Sequence, residues 1–206
     1  MPSELCSGAS VSEEEIRSAL RHRLRRVQKS AELVSEFWIP VTNERADVAV
    51  LGERLEAFEI KTHHDTLNRL PRQAASFAQV FERCTLVTDR CHLERARQTV
   101  VPRWWGLIAF DAVQGRITFD EIRRPRPNPQ IDREILVRLL WKSEAHDVLV
   151  VLGASPSRSD SRTSMWDDIL RLAGPRQLPA LVREMLRNRD PSAAKIPTRR
   201  FMGETV

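Results

Sequence analysis

Apolar and polar positions alternate over short runs in the first half of the chain and recur at helical spacing in the second. Residues 13–29 read as an opening helix. Apolar and β-branched runs at 33–41, 46–51 and 55–62 read as three strands, the last two joined across Gly52-Glu53 as a hairpin. A helix over 70–81 and a strand over 84–88 follow, and 104–110 and 116–119 read as two further strands joined across Gln114-Gly115. Three alternating prolines in Arg123-Arg124-Pro125-Arg126-Pro127-Asn128-Pro129 hold the chain extended and forbid a helix. Helical periodicity then returns at 131–141, 142–152, 164–173 and 178–189, broken by Gly153-Ala154-Ser155-Pro156-Ser157. These patterns predict a core over 1–122, a semi-rigid basic linker over 123–130, a helical extension over 131–190 and a flexible, polar tail over 191–206.

The predicted hairpin carries the chemistry. Asp47 lies on its first strand, and Glu59 and Lys61 share one face of the second, because side chains alternate and Phe58 and Ile60 point the other way. Three ionisable groups on a hairpin with a buried face are costly to desolvate, a cost usually met where a metal ion and a phosphate need them. Phosphodiester hydrolysis wants this set. Mg²⁺ prefers oxygen ligands and is typically held by one or two carboxylates plus phosphate oxygens, for which Asp47 and Glu59 are candidates. Lys61 is then placed to orient or deprotonate the attacking water and to stabilise charge on the phosphate. The competing reading is an ordinary Glu-x-Lys pair on an exposed strand, contributing at most about 1 kcal/mol.

Asp47 followed by Glu59-Ile60-Lys61 resembles the signature of the PD-(D/E)XK nuclease superfamily, and the predicted elements follow that superfamily's order, an αβββαβ core. Four further segments are similar to a small bacterial family that carries this core: Asp65-Thr66-Leu67-Asn68-Arg69-Leu70-Pro71-Arg72-Gln73, Thr85-Leu86-Val87, Trp104-Trp105-Gly106 and Leu139-Leu140-Trp141-Lys142-Ser143-Glu144-Ala145. The resemblance spans roughly residues 12 to 190. It implies an α/β, restriction-endonuclease-like core with a mixed sheet, followed by a C-terminal helical extension. It also implies a Mg²⁺-dependent nuclease, with Mn²⁺ as a substitute, acting on nucleic acid and on DNA in the first place. A homodimer, or a place within a larger defence, repair or mobile-element complex, belongs to the same implication.

Further site residues come from the same resemblance. Ala46 replaces the proline of the founding motif. Some relatives carry Gln-x-x-x-Tyr on the second core helix; here Gln73-Ala74-Ala75-Ser76-Phe77 keeps the glutamine and the ring but loses the hydroxyl. Gln73 is then a candidate to bond a phosphate or the water, its alternative being a solvent-facing glutamine. A third carboxylate often comes from the first helix, which nominates Glu15, then Glu14, as a metal ligand. Ser12-Glu13-Glu14-Glu15 equally fits a capping box with Glu15 at N3. Glu36, beside Phe37 and Trp38, is a rival. By their place directly after the motif, His63 and His64 are candidates to contact phosphate or sit in the cleft rim rather than to bind Mg²⁺, their alternative being strand-end polar residues; Arg72, Arg158 and Arg162 are candidate nucleic-acid contacts, with Arg171 and Arg176 further along the extension.

Composition narrows the alternatives. The chain has 206 residues, 41% of them hydrophobic, enough for one core domain and a smaller appendage. Residues 1–8 contain neither a basic leader nor an apolar run, and the longest apolar stretch, Val148-Leu149-Val150-Val151-Leu152, is too short to cross a bilayer, so a cytoplasmic protein without membrane contact is expected. Cys6, Cys84 and Cys91 form no Cys-x-x-Cys unit, which argues against a zinc ribbon or a disulfide framework. Residues 1–121 carry 17 Lys/Arg against 18 Asp/Glu, whereas 122–206 carry 16 against 10. A basic appendage beside an acidic cleft suits a polyanion, although an arginine-rich solvated surface has the same composition. The helical extension also reads as a lid on the open sheet. The alternative to an enzyme is a nucleic-acid-binding or partner-docking protein that keeps the nuclease fold without its chemistry.

Overall fold

A computed structural model describes residues 11–189; residues 1–10 and 190–206, which include Cys6 and the expected tail, lie outside the described residues. The chain runs α1 (Glu13–Val27), β1 (Glu32–Ile39), β2 (Glu44–Leu51), β3 (Leu55–Lys61), α2 (Leu70–Ala78), β4 (Arg83–Asp89), α3 (Leu93–Arg95), β5 (Gly106–Val113), β6 (Arg116–Arg123), α4 (Arg133–Val137), α5 (Lys142–Val151), α6 (Arg162–Leu172) and α7 (Gln177–Arg187). The six strands form one mixed sheet in sequential order. The β3–β4 and β4–β5 pairs are parallel and the others antiparallel, because hairpin turns join the outer strands while α2 and the α3 region supply the longer crossovers.

Each sheet face is covered, which explains the strand pattern. On one face α1 lays Ile16, Leu20 and Leu24 against Val48, Val50, Phe58, Ile60, Val87, Ile108 and Phe110. The other face, carrying Ala57, Leu86 and Leu107, packs against α2 and against the helices after β6, with Phe77, Leu149, Ile169 and Val182 in the same apolar cluster. Central strands covered on both sides read as near-continuous apolar runs. β4 does so: it is buried from Cys84 through Thr88.

The linker and the helical extension are bound to the sheet layer. Prolines cannot donate to neighbouring backbone, so the intervening residues do. The Arg126 amide donates to the Trp104 carbonyl at 2.7 Å and the Asn128 amide to the Glu82 carbonyl at 2.9 Å. The Asn128 Nδ2 donates to the carbonyls of Ala78 and Phe81 at 2.6 and 2.7 Å, satisfying the end of α2.

Several boundaries differ from expectation for local reasons. Trp104 and Trp105 precede β5 instead of opening it, because the Trp105 amide donates to the Pro102 carbonyl at 2.9 Å and closes a turn. Trp105 is then fully buried, stacked on Phe77 with ring centres 5.9 Å apart and planes 6° from parallel. Residues 131–141 form no continuous helix: Asp132 caps α4 through the amides of Glu134 and Ile135, and α5 begins anew after Trp141. Between β4 and β5, Arg90–His92, Leu93–Arg95 and Ala96–Val100 wind successively as 3₁₀, α and π turns, a run without a clear apolar period.

One ionic lock closes the extension. The Glu144 carboxylate accepts from the Trp141 amide at 2.7 Å, starting α5, and receives Arg189 at 2.7 and 2.6 Å. That guanidinium also donates to the Leu139 carbonyl at 2.9 Å and lies 4.1 Å from the Trp141 ring centre. Removing one partner strands a largely desolvated charge. Arg189→Ala is expected to lower unfolding stability by about 2–4 kcal/mol, read as a lower urea midpoint at unchanged slope; a shift under about 0.5 kcal/mol, the size of an ordinary surface substitution, refutes a structural role for the lock.

Candidate functional site

Carboxylates are brought together where the sheet stops pairing. The β2–β3 ladder ends at the Val48–Phe58 pair, and beyond it the Ile60 amide donates to the Asp47 carboxylate at 2.6 Å instead of to a strand carbonyl. On the other flank, Ser35 pairs with Val48 and Phe37 with Ala46, but Glu36 and Asp47 between them are not paired. Glu36 has φ +54°, a left-handed conformation that costs a residue with a Cβ on the order of 1–2 kcal/mol. Two interrupted ladders thus open a wedge around Asp47.

Into this wedge opens a cleft of about 300 Å³, lined by Glu13, Glu36, Asn43, Glu44, Arg45, Asp47, Glu59, Ile60, Lys61, Asp65, Arg69 and Gln73. Glu59 is 2% exposed. Its Oε1 receives both Lys61 Nζ and Gln73 Nε2 at 2.6 Å, while its Oε2 is buried and has no hydrogen-bond partner among the described residues. Gln73 is buried on the inner side of α2 and braces the acid from above. Donor atoms of Glu13, Glu36 and Asp47 lie within 4.8 Å of one another.

The cluster has internal counter-ions. Arg17, one turn after Glu13, pairs with Glu13, with Glu14 at 3.0 Å and with Glu36 at 2.8 Å, and Arg45 reaches the other Glu36 oxygen at 3.2 Å. Glu44 pairs with Arg72 at 2.8 Å, and Asp65 accepts from the Thr62 amide and hydroxyl, each at 2.7 Å. Asp47 and Glu59 are the least compensated. Burial, followed by the Glu13 and Glu36 charges and opposed by the Ile60 amide and Lys61, pushes Asp47 up to about 6. Burial and then the Asp47 charge push Glu59 up to about 8 against the pull of Lys61 and Gln73.

The Glu13–Glu36–Asp47 donor set is all oxygen, as suits a hard divalent cation, and the orphaned oxygen of Glu59 belongs to the same cleft lining. Asp47 and Glu59, with Glu13 and Glu36 at the rim, are the residues able to hold it. Lys61 and Gln73 position Glu59.

Not every candidate joins the cleft. Glu15 faces away: its carboxylate accepts from the Ser12 amide and hydroxyl at 2.8 and 2.7 Å, closing the capping box. Glu13 takes the place expected of Glu15. At about 100° per residue, Glu13 falls roughly 20° from the centre of the buried Ile16–Leu20–Leu24 stripe and Glu15 roughly 140° from it. That phase was the available signal. His63 and His64 are exposed past the end of β3 and do not line the cleft. Arg72 lies outside the lining but anchors Glu44, while Arg158 and Arg162 sit on the helical layer, Arg162 lying 4.7 Å from the Trp166 ring centre. Arg45 and Arg69, which the sequence did not single out, are the arginines that line it. Phe77 is buried against Trp105 within the apolar cluster of the second sheet face. No helix among the described residues is long and apolar enough to cross a membrane.

The fold and cleft define a mixed α/β protein built around buried acids at a sheet opening. The chain belongs to the bacteriophage P4 protein cII family, whose profile matches residues 7–198. Protein cII of Enterobacteria phage P4 is 28% identical over 139 residues, which are 66% of this chain and 52% of that protein. The chain therefore spans about half the length of that curated relative. The solved structure of SPO1766, a protein of unknown function from Silicibacter pomeroyi, is similar with a TM-score of 0.42 at 17% identity, covering 73% of this chain and 93% of that one.

The acids make stability depend on pH. Both raised values exceed the ordinary 3.8 and 4.5, so between about pH 4 and 8 the folded state holds more protons than the unfolded one. This contribution is complete below pH 4 and lost as pH rises through 6 and 8. In metal-free buffer, Glu59→Gln is expected to flatten the fall in urea stability between pH 5 and pH 8; an unchanged slope excludes Glu59 as its source.

Proposed function

We propose that this protein is a divalent-metal-dependent nuclease with a PD-(D/E)XK-type, restriction-endonuclease-like core. What carries the reading is the convergence in one cleft of Asp47, Glu59 and Lys61, with the buried Glu59 Oε2 lacking a hydrogen-bond partner. The element order α1–β1–β2–β3–α2–β4 supports it as well.

Asp47 and Glu59 would hold Mg²⁺, and Glu13 and Glu36 would offer further oxygens. When bound, the ion supplies charge neutralisation at the scissile phosphate and renders water more acidic. Lys61, held at 2.6 Å from Glu59, orients the attacking water and faces the growing negative charge. Gln73 keeps Glu59 turned toward the cleft. Arg45 and Arg69 on the lining meet the flanking phosphates. Water oxygen bonds to phosphorus and gives up one proton to solvent, the bond from phosphorus to one sugar oxygen breaks, and that oxygen leaves with a proton from solvent. Nucleic acid is the substrate class, DNA the first to try.

Purified protein incubated with linear, nicked and single-stranded DNA, and with RNA, in Mg²⁺ or Mn²⁺ is expected to cleave at least one of them. Asp47→Ala and Lys61→Ala are each expected to reduce the rate by about 10²-fold or more. Cleavage that survives either substitution overturns the assignment.

Helical phase yields a separate test. Glu13→Gln is expected to weaken activation by Mg²⁺ several-fold. Glu15→Gln is expected to leave the Mg²⁺ dependence unchanged and to cost only the cap, about 1 kcal/mol of stability. The opposite ranking restores Glu15 to the site.

A further inference from the structure

A second set of donors lies outside the acidic cleft. His63 follows β3, and Asp89 and Cys91 lie at the end of β4 and just after it. Those strands run parallel, with Lys61 opposite Thr88, so their C-terminal ends present the three residues side by side. The donor atoms of His63, Asp89 and Cys91 lie within 4.8 Å of one another, and His63 Nδ1 is 3.4 Å from Cys91 Sγ.

We infer that these residues bind a borderline transition metal, Zn²⁺ in particular, at a site distinct from the acidic cleft. The separation of nitrogen and sulfur is the informative quantity. Zn–N of about 2.0–2.1 Å and Zn–S of about 2.3 Å at the tetrahedral angle put the two donors roughly 3.5 Å apart. The donor set points the same way: imidazole and thiolate favour zinc over the hard cation that suits an all-oxygen cleft.

The ligands are held before any metal arrives. The Cys91 amide donates to Asp89 Oδ1 at 2.9 Å. Arg90 between them is pinned to Asp111 on β5 by contacts of 2.9, 2.9 and 2.7 Å. His92 Nε2 lies 3.0 Å from the Thr62 carbonyl, tying the turn after β4 to the residue before His63. Such outer contacts are what orient ligands in metal sites. Binding exchanges the Cys91 thiol proton for the Zn–S bond, releasing one proton to buffer, and leaves a fourth position for water. The bound ion would bridge the ends of β3 and β4, two residues past Lys61. Sequence spacing hides this site because His63 and Cys91 are 28 positions apart.

Titrating the full chain with Co²⁺ under a non-thiol reductant tests it. A thiolate-to-cobalt charge-transfer band is expected to saturate at one equivalent and to be abolished by Zn²⁺. Cys91→Ser and His63→Ala are expected to lose the band, and Asp89→Asn to weaken binding by about 10-fold or more. Cys84→Ser and Asp47→Ala are expected to keep it, which separates this site from the nuclease reading. Circular dichroism establishes that the variants fold, and Zn²⁺ is expected to raise the Tm of the parent protein but not of Cys91→Ser. Absence of the band, or its persistence in Cys91→Ser, overturns the proposal.

Discussion

The structure turns on the burial of the Glu59 carboxylate. A carboxylate taken from water needs a counter-charge or a proton, and its desolvation runs to several kcal/mol even after relaxation. Glu59 receives Lys61 and Gln73 on one oxygen and nothing on the other among the described residues. Asp47 adds a second acid close enough to raise it further. The arrangement is underneutralised as it stands. A divalent cation is the kind of charge that would offset that imbalance, which is the ground on which the cleft is proposed as a binding site.

Sheet geometry makes such burial achievable. In a continuous ladder the Ile60 amide would bond to a neighbouring strand; the early end of the β2–β3 ladder releases it to Asp47. Glu36, forced to positive φ, turns the adjacent edge of the opening. Arg17 then occupies the rim, pairing with Glu13 and Glu36. A guanidinium there makes the acids tolerable to each other, yet it leaves Asp47 and Glu59 raised. The rim is compensated and the floor is not.

What the sequence made legible follows the range of the interactions. Strand alternation put Glu59 and Lys61 on one face from neighbouring residues alone, and Gln73 followed from the resemblance. The six strands were visible as apolar runs, and α1, α2 and the later helices as periodicity, with ends shifted where a turn or cap intervened. On the first helix, Glu13 lines the cleft and Glu15 closes the cap; both are first-turn acids, and only the wheel phase separates them in the sequence. Arg45 and Arg69 at the lining, and the proximity of His63 to Cys91, depend on how distant segments meet. No local pattern carries that information. The 90–105 region escaped prediction for a different reason, since its turns change type every few residues.

Helix α2 links this chemistry to the core. Gln73 stands one turn before Phe77 on the same helix side, and both are buried. A glutamine facing inward is unfavourable unless its amide finds a partner, and Glu59 is that partner at 2.6 Å. One turn further on, Phe77 is stacked on Trp105, a fully buried pair with planes 6° from parallel. A tyrosine at 77 would need a hydrogen-bond partner in a cluster of apolar side chains; phenylalanine needs none. Loss of the hydroxyl that the resemblance associates with this position thus accompanies an apolar ring stack on α2. One side of α2 carries both the glutamine that bonds the acid and the ring that fills the second sheet face.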